Sequence, residues 1–100
     1  MIKHIVMWRL KEEAEGRSQS DNAHLIKQQL EALQGQLDGL IEIEVGIDIS
    51  RGNDSSHIVL YSEFSDKQAL ASYLIHPLHE AIKPLVLAAR SERRVVDYQV

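Results

Sequence analysis

The stretch MIKHIVMWRL, residues 1–10, alternates between two faces and places apolar side chains on both of them. One face carries five mostly apolar residues: Ile2, His4, Val6, Trp8 and Leu10. The other face carries Ile5 and Met7 between the cations Lys3 and Arg9. A period of two predicts a β-strand. Because apolar groups occur on both sides, we expect protein to cover both faces of this strand.

Two helices are predicted from caps and from apolar periodicity. The first lies between a cap at Ser20 or Asp21 and an end at Gly39. Its apolar stripe comprises Ala23, Ile26, Leu30, Leu33 and Leu37. The second starts at a cap on Ser65 or Asp66 and runs through KQALASYL, residues 67–74. His76 should end it, because a residue before proline avoids the helical region, and Pro77 fits the first position of a new turn.

Three further strands complete the chain: IEIEVGIDI (41–49), HIVLYSEF (57–64) and RRVVDYQV (93–100). In the first of these we expect one face to carry Ile41, Ile43, Val45, Ile47 and Ile49. The element order β-α-β-β-α-β predicts an α+β, ferredoxin-like domain over residues 1–100. Such a domain has a four-stranded antiparallel sheet with two helices on one face.

The predicted helices leave the second sheet face without a cover, which predicts a partner. We expect a homodimer in which two sheets pack face to face as a dimeric α+β barrel. The predicted interface residues are Ile5, Met7, Ile58, Leu60 and Phe64.

Composition excludes several classes of function. The chain of 100 residues has a formal net charge of −4 and no basic cluster longer than RSERR, which argues against nucleic-acid binding. It has no cysteine, so thiol catalysis and thiolate metal sites are excluded. No apolar run approaches the roughly 20 residues that span a bilayer, and the first residues lack the pattern of a signal peptide. We therefore predict a cytoplasmic protein that does not bind membranes.

The stretch YLIHPLHEAIKPL, residues 73–85, holds the candidate catalytic residues Tyr73 and His79. His79 falls in the first turn of a helix, where the helix dipole disfavours a positive charge and keeps the ring neutral. A neutral imidazole suits a general base, and a tyrosine hydroxyl can polarise a carbonyl group. The alternative is structural: His76 caps the helix start, and Tyr73 packs between helix and sheet.

Three more histidines are candidate ligand-binding residues: His4, His57 and His76. His4 and His57 share strand faces with apolar neighbours and could line one cavity with His79. Both lie at strand starts, so an antiparallel pairing could also place them at opposite ends. A metal site built from His76, His79 and either His57 or Glu80 is a weaker alternative, since Pro77 puts His76 outside the helix. We expect no metal and no cofactor.

Five segments, in order, resemble the stress-responsive A/B barrel domain (Dabb) family. They are MIKHIVMWRL, GLIEIEVGIDIS, HIVLYSEFSD, YLIHPLHEAIKP and VVDYQV, and together they cover nearly the whole chain. The resemblance implies a ferredoxin-like protomer and a dimeric α+β barrel. One branch of the family comprises polyketide cyclases, in which the positions of Tyr73 and His79 are catalytic and those of His4 and His57 are pocket histidines. The segment EAIKPLVLAARS lacks the aromatic residues that a long polyketide tail would favour.

These observations predict a pocket between helices and sheet that binds a hydrophobic, oxygen-bearing small molecule. In the enzymatic version, Tyr73 and His79 perform cyclase-like or isomerase-like acid–base chemistry without a cofactor. The alternative is a non-catalytic stress-response or binding protein whose histidines and tyrosine are structural.

Overall fold

The computed structural model describes residues 1–100 and contains one main sheet. Its elements are β1 (Ile2–Leu10), β2 (Glu13–Ala14), β3 (Arg17–Ser18), α1 (Gln19–Glu31), β4 (Leu40–Ile47), β5 (Ile58–Phe64), α2 (Lys67–Leu74), α3 (Pro77–Glu80), α4 (Lys83–Ala89) and β6 (Arg90–Gln99). The four long strands are antiparallel in the order β4-β5-β1-β6, which confirms the predicted ferredoxin-like fold. The second predicted helix is α2, the predicted new turn at Pro77 is α3, and α4 follows as a further short helix. Residues 13–18 form a small hairpin. None of the helices has the length and the hydrophobicity that spanning a bilayer requires.

Side-chain caps fix where the helices begin. The cap of α1 is neither Ser20 nor Asp21: the Ser18 hydroxyl accepts a hydrogen bond from the Asp21 amide at 3.1 Å, so α1 starts earlier than predicted. Asp66 caps α2 as predicted, accepting from the Ala69 amide at 2.8 Å. The helix α1 ends at Glu31, well before Gly39. The predicted apolar stripe is nevertheless buried as a whole, including the part that follows the helix.

The prediction is wrong for three of the five interface residues, because they lie on the sheet face that the helices cover. Ile58, Leu60 and Phe64 are at most 2% exposed and belong to the core beneath the helices. The strand register explains why: Leu60 lies opposite Val6, which also faces the helices. The face without helices carries Ile5 and Met7 from β1, as predicted, and residues 59, 61 and 63 from β5.

The predicted alternation of β4 also fails at both ends. A bulge between Leu40 and Glu42 takes Ile41 out of register, and its side chain is 49% exposed. Ile49 lies beyond the end of the strand and is 94% exposed. Between them, Ile43 and Val45 are buried as predicted.

The outer edge of β4 is occupied by side chains from α1 and the turn after it. Glu31 accepts a hydrogen bond from the Val45 amide at 3.0 Å, and Gln34 accepts one from the Ile43 amide at 3.0 Å. Lys27 donates to Glu31 at 2.7 Å and to the Val45 carbonyl at 2.6 Å. The Lys27 hydrogen bond and the Val45 amide lower the pKa of Glu31. These bonds satisfy backbone groups that an edge strand otherwise presents to other chains.

Gly39 is predicted to be the glycine at which substitution destabilises the fold most. Its φ is +81°, and an added Cβ would lie 2.5 Å from the Cβ of Ala69. We expect Gly39→Ala to lower the free energy of unfolding by about 2 kcal/mol or more, since it combines backbone strain with a clash. Gly35→Ala is the matched control, because Gly35 has a φ of +80° but open space around it. It should cost about 1 kcal/mol. Equal losses in urea denaturation would show that the contact with Ala69 is unimportant.

Candidate functional site

A cavity of about 400 Å³ opens between the sheet and the helices that follow β5. Its lining is mainly hydrophobic and comprises His4, Val6, Trp8, Leu30, Leu60, Tyr73, Leu74, His79, Ile82, Lys83, Val86, Leu87, Arg90 and Arg93. The volume lies within the range of small-molecule sites, and a few polar groups on apolar walls are typical of such sites. Two predicted site residues of the YLIHPLH segment, Tyr73 and His79, and one predicted strand histidine, His4, therefore share one cavity.

The break between α2 and α3 brings Tyr73 and His79 together. His76 is the N-cap of α3, and its Nδ1 accepts a hydrogen bond from the Leu78 amide at 3.1 Å. Pro77 occupies the first turn of α3, as the sequence predicts. The new turn lays the ring of His79 against that of Tyr73, with 4.3 Å between ring centroids and 35° between planes. The two residues meet by stacking, and no hydrogen bond joins them.

The Tyr73 hydroxyl is buried and has no hydrogen-bond partner within the protein. The residue is 2% exposed, and this burial raises the pKa of its hydroxyl well above the ordinary value. The hydroxyl therefore keeps its proton at neutral pH. A buried donor without an acceptor lowers the free energy of unfolding. An unpaired hydroxyl in a residue that lines a cavity therefore requires an explanation.

The ring of His79 is neutral, and its contact with the Leu74 carbonyl shows which ring nitrogen carries no hydrogen. Its Nδ1 lies 3.3 Å from the Leu74 carbonyl, and because a carbonyl only accepts, Nδ1 carries the hydrogen. The Nε2 atom is left with a lone pair. Burial is the main cause that lowers the pKa of His79, and the Leu74 carbonyl opposes it. The neutral ring expected from the helix dipole thus arises chiefly from burial, in a helix of only four residues.

His4 is oriented by Asp97, which is not among the predicted site residues. The His4 Nδ1 donates to the Asp97 carboxylate, and the other ring nitrogen, Nε2, takes no part in this contact. The pairing of β1 with β6 places the two residues directly opposite one another. The aspartate belongs to the closing VVDYQV segment, but only the strand register could have linked it to His4. The His4 and Tyr73 ring centroids lie 6.1 Å apart.

His57 and His76 lie outside the cavity. Because β1 and β5 are antiparallel, His57 sits beside the far end of β1, where its Nδ1 accepts from the Leu10 amide at 2.7 Å. Burial, followed by the charge of Arg9, lowers the pKa of His57. His76 caps α3 and lines a separate surface depression. Of the three histidines predicted to line one cavity, His4 and His79 do so and His57 does not, and no three metal-ligating side chains converge.

Trp8 supplies a second buried donor at the cavity. Its indole Nε1 has no hydrogen-bond partner, and the residue is 5% exposed. Its position on the apolar face of β1 predicts a core residue, and Trp8 does belong to the hydrophobic core. The sequence gives no sign that its N–H would lack an acceptor, because that depends on which atoms approach it in the fold.

Comparison with known proteins identifies the family. Residues 2–100 match the family described as Stress responsive A/B Barrel Domain. The chain belongs to this Dabb family. Among curated proteins, none matches it by sequence.

Three solved structures are similar to this chain in fold. A dimeric protein of unknown function with a ferredoxin-like fold from Bacteroides fragilis is 29% identical, with a TM-score of 0.87 over 99% of this chain and 95% of that one. A dimeric ferredoxin-like protein of unknown function from a Jannaschia species is 28% identical, with a TM-score of 0.76 over 99% and 98%. A hydroxynitrile lyase from Passiflora edulis shares the fold at 18% identity, with a TM-score of 0.76 over 99% and 92%.

The half-buried, neutral ring of His79 predicts a loss of stability in acid. Its pKa is lowered on folding from an ordinary 6.5, so the unfolded chain takes up the proton first. The linked stability is fully present above about pH 6.5 and is lost as the pH falls through the lowered pKa. We expect His79→Phe, which preserves the ring stack, to reduce the dependence of unfolding free energy on pH in this window. A ring titration of His79 by NMR with a midpoint at or above 6.5 would contradict the burial argument.

Proposed function

We propose that this Dabb protein binds an apolar, oxygen-bearing compound in the cavity and transfers a proton within it without a cofactor. The observation that carries the proposal is that Tyr73 lines an apolar cavity and that its buried hydroxyl is a protonated donor without a partner. An acceptor oxygen of a bound carbonyl compound would satisfy it. Binding of such a compound would relieve the cost of that unpaired group.

The cavity combines this donor with two histidines, His79 and His4. We assign His79 as the principal base, because its Nε2 carries the lone pair and its ring is held neutral against Tyr73. The imidazole would take a proton from the carbon next to a carbonyl group, and the Tyr73 O–H would stabilise the negative charge that develops on the carbonyl oxygen. Return of the proton from His79 to another atom completes an isomerisation. In a cyclisation, the enolate carbon attacks a second carbonyl group, and the oxygen of that group takes up the proton from His79.

His4 has a supporting part in this proposal. Asp97 fixes its Nδ1–H and therefore its ring orientation, so that Nε2 is the nitrogen available to a ligand. His57 and His76 take no part, because the Nδ1 of each accepts a hydrogen bond from a backbone amide outside the cavity. Proton transfer of this kind requires no metal or redox group. The cytoplasmic location stays a prediction.

Substitution of Tyr73 tests whether its hydroxyl has a functional or a structural role. Tyr73→Phe removes a buried donor that has no acceptor, so we expect unfolding free energy to stay equal or to rise slightly. The same change should weaken binding of a carbonyl ligand about tenfold, the contribution of one buried hydrogen bond. Calorimetric titration with a cyclic ketone, beside chemical denaturation, measures both quantities.

Tyr61→Phe is the matched control, since the Tyr61 hydroxyl lies on the opposite face of the sheet and donates to Glu63. It should leave ketone binding unchanged. A Tyr73→Phe protein that loses several kcal/mol of stability and binds the ketone as before would establish a structural tyrosine instead.

We also propose that two copies pair through the sheet face that lacks helices. Apolar residues of this face include Met7 and Val96, which are 41% and 50% exposed in the protomer. The flanks differ in charge: β4 contributes Glu42 and Glu44, whereas β1 and β6 contribute Lys3, Arg9 and Arg94 beside Glu92. A two-fold axis can bring unlike flanks together. The proposal is also supported by two similar solved structures, both described as dimeric.

Two glutamate substitutions distinguish the sheet faces. Ile5→Glu should yield a folded monomer, because it places a charge in the proposed interface but leaves the protomer core intact. Leu60→Glu should prevent folding, because residue 60 is 2% exposed beneath the helices. Sedimentation velocity and circular dichroism report the two outcomes. A dimer that survives Ile5→Glu would exclude this face as the interface.

A further inference from the structure

An irregularity in β6 places two arginines on the same side of the sheet. Arg93 lies opposite Trp8, and Glu92 lies opposite Arg9, but Leu10 then pairs with Arg90. Ser91 is the extra residue of this bulge. Because Trp8 and Leu10 both face the helices, the bulge turns Arg90 to the face that Arg93 already occupies. In an unbroken register Ser91 would lie there, and Arg90 would face the other side.

The arginines give one end of the cavity a positive charge that the protein does not neutralise. The lining includes Lys83, Arg90 and Arg93 and no carboxylate. Lys83 is paired with Glu80 at 2.7 Å, whereas neither arginine side chain has an acidic partner or donates a hydrogen bond within the protein. This local excess of cations is the reverse of the net charge of −4.

We infer that the cavity takes an elongated apolar compound with an anionic head group, which Arg90 and Arg93 bind. The inference rests on the proposed function and specifies the substrate class of the same site. A guanidinium pair matches a carboxylate or a phosphate through charge-assisted hydrogen bonds. Trp8 and Val86 would contact the apolar body.

The length of the compound follows from the strand register. Arg93 pairs with Trp8, and Asp97 pairs with His4, so the arginine end and the histidine end are four residues apart along β6. At about 3.3 Å per residue this separation is roughly 13 Å. The head group therefore lies at one end and the reacting oxygen at the other, near Tyr73.

Fluorescence of Trp8 provides a local readout, because it is the only tryptophan and lines the cavity. Titration with octanoate, octyl phosphate and 1-octanol compares two anions with a neutral compound of the same chain. We expect at least one anion to bind about tenfold more tightly than the alcohol and its affinity to fall with added salt. The preferred anion tells a carboxylate from a phosphoryl head group.

Variants assign the preference to the arginines. The Arg90→Gln/Arg93→Gln double variant should bind 1-octanol as the native protein does but lose the preference for the anion. Lys67→Gln removes one positive charge outside the cavity and is the charge control; it should keep the preference. The comparison of probes on the native protein tests the inference independently of how the double variant folds.

The outcomes separate this inference from the proposed function. Equal affinity of the native protein for octanol and both anions overturns the anionic head group and leaves the cavity as a binding site. A preference that persists in the double variant overturns the assignment to Arg90 and Arg93. If none of the three probes alters Trp8 fluorescence, the binding site itself is overturned, and this inference with it.

Discussion

The register of β1 between its two neighbours is the constraint on which the candidate site depends. On one side it sets Val6 opposite Leu60, which fixes the face of β5 that packs beneath the helices. On the other side it sets His4 opposite Asp97, which fixes the orientation of a histidine ring. A shift of one residue would move every β1 side chain to the opposite face. The hydrophobic core and the polar groups of the cavity therefore have one common origin.

The four candidate histidines differ in what their Nδ1 atoms bind. In His4 and His79 this nitrogen faces a carboxylate or a carbonyl and must donate. In His57 and His76 it faces a backbone amide and must accept. The first pair lines the cavity, and the second pair supports a strand end and a helix start. Histidines that look alike in the sequence are thus divided by a single hydrogen bond each.

Much of the fold was predictable, because it follows from local periodicity and from proline. The Asp66 cap, the break at His76 and the turn at Pro77 are all local signals, and they bring His79 close to Tyr73. What could not be predicted depends on pairing between distant strands. Asp97 beside His4 and the outward position of Ile41 are of this kind, since a bulge or a register leaves no local mark.

The side chains of α1 that occupy the outer edge of β4 affect how the sheet can grow. With the Ile43 and Val45 amides already bonded, β4 offers few free groups for another strand, whereas β6 at the opposite edge is long and exposed along its length. A sheet with one available edge can be extended only once by edge pairing with a second copy, because the resulting eight strands end in two occupied edges. Edge pairing in this protein is therefore self-limiting, and the same contacts that secure α1 protect the chain from forming open-ended fibrils.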